Sequence, residues 1–213
     1  MATVLIIGAS KGIGRETVKC ALKAGYRVRA MARSAVRIPG RHANLETVTG
    51  DALEPSAVTQ ALAGVDVVIQ TLGVSAGPGF LFKPVGLFSD ATRVLVAAME
   101  ETGVRRLICV TGFGAGDSRD RGGLLYNSAF RLFLGRVYEN KDVQERIIRD
   151  SKLDWIIARP GILTHGPMTG GYQVLDNPDD WRCGFISRVD VADFLVKQID
   201  DNQYLGKTPV LVR

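Results

Sequence analysis

The sequence predicts an α/β fold in which a parallel, doubly wound sheet carries helices on both faces. Three observations point there. Strand-like apolar runs alternate with helical stretches along most of the 213 residues, the pattern of successive β–α units. The chain begins with an apolar, β-branched run, Val4 to Ile7, that passes through Gly8, Gly12 and Gly14 into a helix. The long irregular stretches follow the C-terminal ends of strands, where such sheets bind their ligands.

The elements follow in order. Residues 3–7 read as a buried strand. Residues 12–24 read as a helix, with Ile13, Val18, Ala21 and Leu22 near helical spacing and Gly25 placed as its C-cap. Strands are expected at 26–32 and 45–49. Pro55 opens a helix over 55–63 behind Asp51 and Glu54. A strand at 65–71 leads into a long loop, 73–87, with four glycines and two prolines. Ser89 or Asp90 is the expected cap of a helix over 88–102 that ends at Gly103. A strand at 105–110 precedes a second long loop, 111–125. A helix at 137–151 and a strand at 153–158 follow. Residues 160–184 are expected to form a small, irregular substrate-side lobe. A helix at 189–200 and a strand near 208–212 close the chain. Right-handed crossovers give the strand order 3-2-1-4-5-6, with a ligand where the order reverses. This is a Rossmann-type arrangement, expected to form a single domain over residues 1–213.

The opening turn carries the chemistry. Helix N-terminal N–H groups point at whatever lies beyond them, and the helix dipole favours a phosphate there. A glycine trio between a strand and a helix is the setting in which a dinucleotide is bound. An NAD site needs an acid about 20 residues further on, for the ribose 2′-hydroxyl. None occurs between Glu16 and Glu46; that stretch holds Lys19, Lys23, Arg27, Arg29, Arg33, Arg37 and Arg41 instead. Arg33, at the end of the second strand, can fork onto a 2′-phosphate beside Ser34, and Lys11 adds a cation. The expected cofactor is therefore NADPH/NADP.

Composition excludes other classes. Net charge is +5 with a pI near 9.3, but no basic block is interleaved with aromatics, so no nucleic-acid partner is expected. No apolar run approaches a membrane span, so no membrane partner is expected. The first strand starts almost at Met1, so no leader is expected. Cys20, Cys109 and Cys183 are odd in number and widely spaced; they read as reduced thiols of a cytoplasmic protein. His42 and His165 are far apart, and no metal-ligand spacing occurs, so no metal is expected.

These residues together resemble the atypical short-chain dehydrogenase/reductases, specifically the NAD(P)H-binding group of NmrA-like proteins and biliverdin reductase B-like flavin reductases. The resemblance runs over nearly the whole chain. Gly8-Ala9-Ser10-Lys11-Gly12-Ile13-Gly14 has the glycine spacing of the catalytic short-chain dehydrogenases, with Lys11 where the atypical group more often has glycine. Met31-Ala32-Arg33-Ser34 looks like an NADPH-type strand end. Gly50-Asp51-Ala52 is similar to the motif that meets adenine, and Thr71-Leu72-Gly73 to the segment over the adenosine ribose. Lys141 with Glu145 resembles the group's helix, and Arg159-Pro160-Gly161-Ile162 the loop that closes over nicotinamide. Phe185-Ile186-Ser187-Arg188-Val189-Asp190-Val191-Ala192 resembles its late signature.

The chain departs from the catalytic pattern in two places. The family's tyrosine stands four residues before its lysine, but here that position is Val137. Tyr138 is three before Lys141, about 100° around the helix. The family's serine is replaced by Gly112, with Thr111 just before it. Lys141, Thr111 and Tyr138 are the candidate catalytic residues, and Lys141 and Thr111 are also candidates for holding the cofactor. His165 is a further candidate proton donor. Phe80, Phe82, Phe113, Tyr172 and Trp181 are candidates for an apolar substrate wall, and Asp117, Arg119, Asp120 and Arg121 for a charged lid.

The resemblance implies an NADPH-dependent oxidoreductase for a small aromatic or conjugated substrate such as a flavin, quinone or tetrapyrrole-like ring. In such enzymes an acceptor stacked on nicotinamide can take its proton from water. A non-catalytic, NADP(H)-sensing regulator of the NmrA type is the alternative. A sugar-nucleotide epimerase or dehydratase is a weaker one, since only about 50 residues follow Pro160. A monomer or weak dimer is expected.

Overall fold

The computed structural model describes residues 1–34, 36, 38, 40–73, 86–119, 121 and 124–213, with 124–134 as backbone only. In chain order the elements are β1 (Thr3–Ile7), α1 (Gly12–Lys23), β2 (Arg27–Ala32), β3 (Leu45–Thr49), α2 (Pro55–Leu62), β4 (Val67–Gln70), α3 (Leu87–Thr102) and β5 (Arg106–Val110). There follow α4 (Leu124–Arg149), β6 (Asp154–Pro160), β7 (Ile162–Thr164), β8 (Gln173–Leu175), β9 (Phe185–Ser187), α5 (Arg188–Lys197) and β10 (Val210–Val212).

Eight strands pair in the order β3-β2-β1-β4-β5-β6-β10-β8. All neighbours are parallel except β8, which runs antiparallel to β10 at the edge. The reversal of order falls between β1 and β4, which sit side by side with Val4 opposite Val67. This is the doubly wound α/β sheet that the alternation predicts.

Period-2 alternation sends successive side chains to opposite faces. Val4 and Ile6 join the cluster under α1 and α5, with Val18, Ala21, Phe194 and Leu195. Leu5 and Ile7 join the cluster on the other face, with Val58, Leu95, Met99 and Ile148 from α2, α3 and α4. Both faces are apolar at the centre of the sheet, so β1 and β4 are almost continuously hydrophobic, as buried parallel strands are.

Three features differ from the sequence reading. First, α4 starts at Leu124 rather than near 137. Asn127, Ser128 and Gly135 lower its intrinsic helix preference, and the helix forms regardless. Second, neither Ser89 nor Asp90 caps α3. The N–H groups of Phe88 and Ser89 donate to Asn140 Oδ1 of α4, at 3.0 and 3.1 Å; the cap comes from another helix. Third, the stretch 160–184 is not wholly irregular. β7 pairs in parallel with β9, Ile162 opposite Phe185, as a second small sheet. The loop before β8 is held by Asp190 of α5, whose carboxylate accepts from Thr169 N (2.8 Å), Gly170 N (3.0 Å), Thr169 Oγ1 (2.9 Å) and Ser187 Oγ (2.9 Å). Arg37, Phe80, Phe82 and Asp120 lie outside the described residues, as does most of the 73–87 loop. No helix among the described residues is long and apolar enough to cross a membrane.

Candidate functional site

The turn from β1 to α1 shows what each glycine does. Gly8 has φ +90°, and a β-carbon there would come within 2.8 Å of the Thr71 carbonyl oxygen. Gly14 is extruded of any side chain for a similar reason, because a β-carbon would strike the Gly8 carbonyl oxygen. It lets α1 sit against the strand. Gly12 has φ +58° and nothing within 4 Å, so its backbone faces open space. Lys11 precedes the helix in extended conformation, and no side chain caps the first N–H groups of α1. A helix N-terminus without a side-chain cap, reached through bare backbone, is a cradle for a phosphate.

That cradle is the floor of a cleft of about 650 Å³ along the C-terminal ends of β2, β1, β4, β5 and β6, within the size range of small-molecule sites. Of the expected cofactor-binding residues, Gly8, Ser10, Lys11, Gly12, Ile13, Arg33, Asp51, Ala52, Leu72, Gly73, Thr111, Lys141 and Pro160 line it. Ala9 and Gly14 are buried beneath it, and Ser34 stands beside Arg33 off the wall. Gly161 and Ile162 do not line it. Gly161 packs on the Gly184 backbone, and Ile162 is drawn into the β7–β9 pair, 41% exposed. The next residue, Leu163, and then His165 take the wall instead.

The far end of the cleft, at β5 and β6, holds the polar candidates. Lys141 is buried; its Nζ donates to the Thr111 carbonyl oxygen (2.7 Å) and lies 4.4 Å from the centre of the Phe88 ring. Burial pushes its pKa down to about 8 from 10.5, with Cys109 and Glu145 opposing the shift. The Thr111 hydroxyl is turned away from the cleft and donates to Glu145 Oε1 (2.8 Å). Glu145 is gripped in turn by the fully buried Arg159, through Nε (3.0 Å) and Nη2 (2.5 Å), and Arg159 also meets Asp117 (2.5 Å). Against its own burial, which raises it, the Arg159 guanidinium and then that of Arg149 hold the Asp117 carboxyl below the ordinary aspartate range.

Tyr138 does reach the strand end despite its offset register. A β-carbon on Gly112 would lie 2.6 Å from the Tyr138 hydroxyl. The missing side chain at 112 is therefore the space that the tyrosine occupies. Burial, with the nearby Cys183, raises its hydroxyl above the usual tyrosine range, so it stays protonated.

The other candidates fall elsewhere. Phe113 and Trp181 are core residues around β10, and Trp181 stacks 5.0 Å from the Arg159 guanidinium. Tyr172 packs edge-on against Phe194. Asp117 belongs to the Arg159 network, Arg119 pairs with Asp142, and Arg121 donates to the Pro178 carbonyl (3.2 Å). These bonds tie the 111–121 loop down rather than form a lid. Sequence reading missed Leu87, Phe88, Val137, Leu163 and Arg188, all on the cleft wall. Leu87, Phe88 and Val137 look like ordinary core positions of helices, and only the crossing of α3 over α4 turns them to the cleft.

Comparison with known proteins agrees with this geometry. The family model described as NAD(P)H-binding matches residues 8–202. A Bacillus subtilis protein named an uncharacterized sugar epimerase, YhfK, is 28% identical over 204 residues, covering 93% of this chain and 88% of its own. The NAD(P)H azoreductase of Xenophilus azovorans is 25% identical over 162 residues, covering 74% of this chain and 47% of its own. Among solved structures, ChuY, an anaerobillin reductase of Escherichia coli O157:H7, is 28% identical, with a TM-score of 0.82 over 99% of this chain and 97% of its own. With the bare helix N-terminus, the cleft at the switch point and a family match over most of its length, this chain belongs to the NAD(P)H-binding family of the atypical short-chain dehydrogenase/reductase group.

Proposed function

We propose that this protein is an NADPH-dependent reductase of a flat, conjugated acceptor. One observation carries the reading. The β5–β6 end of the cleft is walled by Leu87, Phe88, Val137 and Leu163, with Lys141 in its floor and the Tyr138 hydroxyl beside it. Apolar walls around few polar groups suit a planar ring held against another planar ring.

In this reading the α1 N-terminus holds the pyrophosphate, and Arg33 with Ser34 and Lys11 selects the 2′-phosphate. Lys141 holds the nicotinamide ribose, and its carbonyl partner Thr111 fixes the amine in place. NADPH, when bound, supplies the hydride, which is the hard part of the chemistry. Tyr138 gives the matching proton to the reduced acceptor and regains one from water. Its protonated state makes it a donor rather than a base. The reductase names of the Xenophilus azovorans and Escherichia coli relatives are consistent with such an acceptor.

The test is NADPH oxidation with a panel of flavins, quinones and small carbonyl compounds. Turnover of planar acceptors and none of simple carbonyls is expected. Tight NADPH binding with no turnover of any acceptor would replace this reading with the cofactor-sensing one.

A further inference from the structure

Apart from Lys141, whose amine is engaged by the Thr111 carbonyl, the cations on the cleft wall divide into two groups that come from opposite sides. Lys11 and Arg33 arrive from the β1–α1 turn and the end of β2, at the adenosine end. Arg188 arrives from the start of α5, on the lobe beyond β6, together with His165. Its Nη1 donates to the Thr164 carbonyl oxygen (2.9 Å), which pins the guanidinium at the end of β7 next to His165. Arg188 is half-buried, and among the described residues no carboxylate pairs with it. Among the described residues lining the cleft, Asp51 is the one carboxylate, and it stands after β3, at the opposite end of the strand order, accepting from Leu53 N (3.1 Å).

A guanidinium anchored through one nitrogen, half out of water and without a protein counter-charge is an anion receptor. The coenzyme's own anionic groups have other hosts in the proposed reading: the amides of α1 for the pyrophosphate, and Arg33 with Lys11 for the 2′-phosphate. We infer that Arg188, with His165 beside it, forms a subsite for an anionic substituent of the acceptor, a carboxylate or phosphate carried at the edge of the conjugated ring. This rests on the reductase reading. It narrows the substrate class from any flat acceptor to an acidic one.

Flavin mononucleotide and riboflavin share one ring system and differ by a phosphate, so they isolate the charge. Both are titrated into the NADP-loaded protein by quenching of flavin fluorescence, and both are assayed as acceptors. The wild type binds flavin mononucleotide at least tenfold more tightly than riboflavin in low salt, and the ratio shrinks as ionic strength rises. Arg188→Gln lowers that ratio about tenfold, and Arg188→Lys restores part of it. The KM for NADPH moves less than twofold. Equal binding of the two flavins by the wild type, or binding of neither, overturns the inference. So does an Arg188→Gln protein that loses NADPH affinity and both flavins together, because its anion is then the coenzyme pyrophosphate. An Arg188-dependent preference without turnover keeps the subsite and removes the reductase reading, so the two fail separately.

Discussion

A guanidinium at the rim of the cleft meets a 2′-phosphate with paired, charge-assisted hydrogen bonds, and has no comparable partner in a bare 2′-hydroxyl. Arg33 is exposed at that rim, so its removal acts on one coenzyme. Arg33→Ala is expected to weaken NADPH binding by about 10–100-fold, the worth of a charge-assisted hydrogen bond, and to leave NADH nearly unchanged in parallel calorimetric titrations. At Tyr138 the readout is rate. Tyr138→Phe keeps the ring that packs on Gly112 and is expected to lower kcat by about 100-fold while the Kd for NADPH stays within a factor of about two. Lys141 links chemistry to stability. Its folded pKa of about 8 lies below the ordinary 10.5, so between those values the unfolded chain binds more protons and stability rises with pH. At neutral pH the buried charge costs about 3 kcal/mol. Lys141→Met therefore raises Tm at pH 7 by several degrees and loses the rise above pH 8, and it weakens the coenzyme complex. Paired thermal melts at pH 7 and pH 9.5 check both signs.

At the scale of elements, the opening β–α unit was legible because its constraints are local. β-branched strand residues, a turn that requires positive φ, and a helix that must approach a strand closely all leave their mark in adjacent residues. Gly14→Ala tests the last of these. The added carbon meets the Gly8 carbonyl, so NADPH binding is expected to be lost before the fold is, with far-UV circular dichroism retained. The stretch 160–184 was not legible because its order is imposed from outside it. β8 exists by pairing with β10, and the loop at 169–170 exists by bonding to Asp190 of α5. Hydrogen bonds to that carboxylate hold its pKa below the ordinary aspartate value against burial. Asp190→Asn is expected to cost on the order of 2 kcal/mol and to raise amide hydrogen exchange at 169–171 well above that of β6.

On the scale of the whole molecule, the sheet is closed behind the site by a buried charge network. Arg159 is inaccessible, Glu145 nearly so, and the Thr111 hydroxyl is committed to them. Such a pair adds little over a well-packed apolar substitute, but removing Glu145 leaves the buried guanidinium to the more exposed Asp117, a poorer compensation for its charge. Glu145→Leu is expected to cost about 3–5 kcal/mol, seen as a Tm fall on the order of 10 °C. The network also fixes Thr111, and through its carbonyl the amine of Lys141, so stability and coenzyme affinity are expected to fall together.

The sequence by itself determined the alternation of elements, the bare glycine turn before α1 and the cation at the end of β2, because each rests on neighbours in the chain and on backbone geometry. It also located Lys141, Tyr138 and Thr111, but not what they do. Only the tertiary structure decided that Gly112 makes room for an out-of-register tyrosine, that Thr111 turns its hydroxyl to Glu145, and that Arg188 faces the cleft. Those arrangements depend on how α4, α5 and the β7–β9 lobe close over the strand ends. Contacts between residues tens of positions apart are set by packing and leave no local pattern to read.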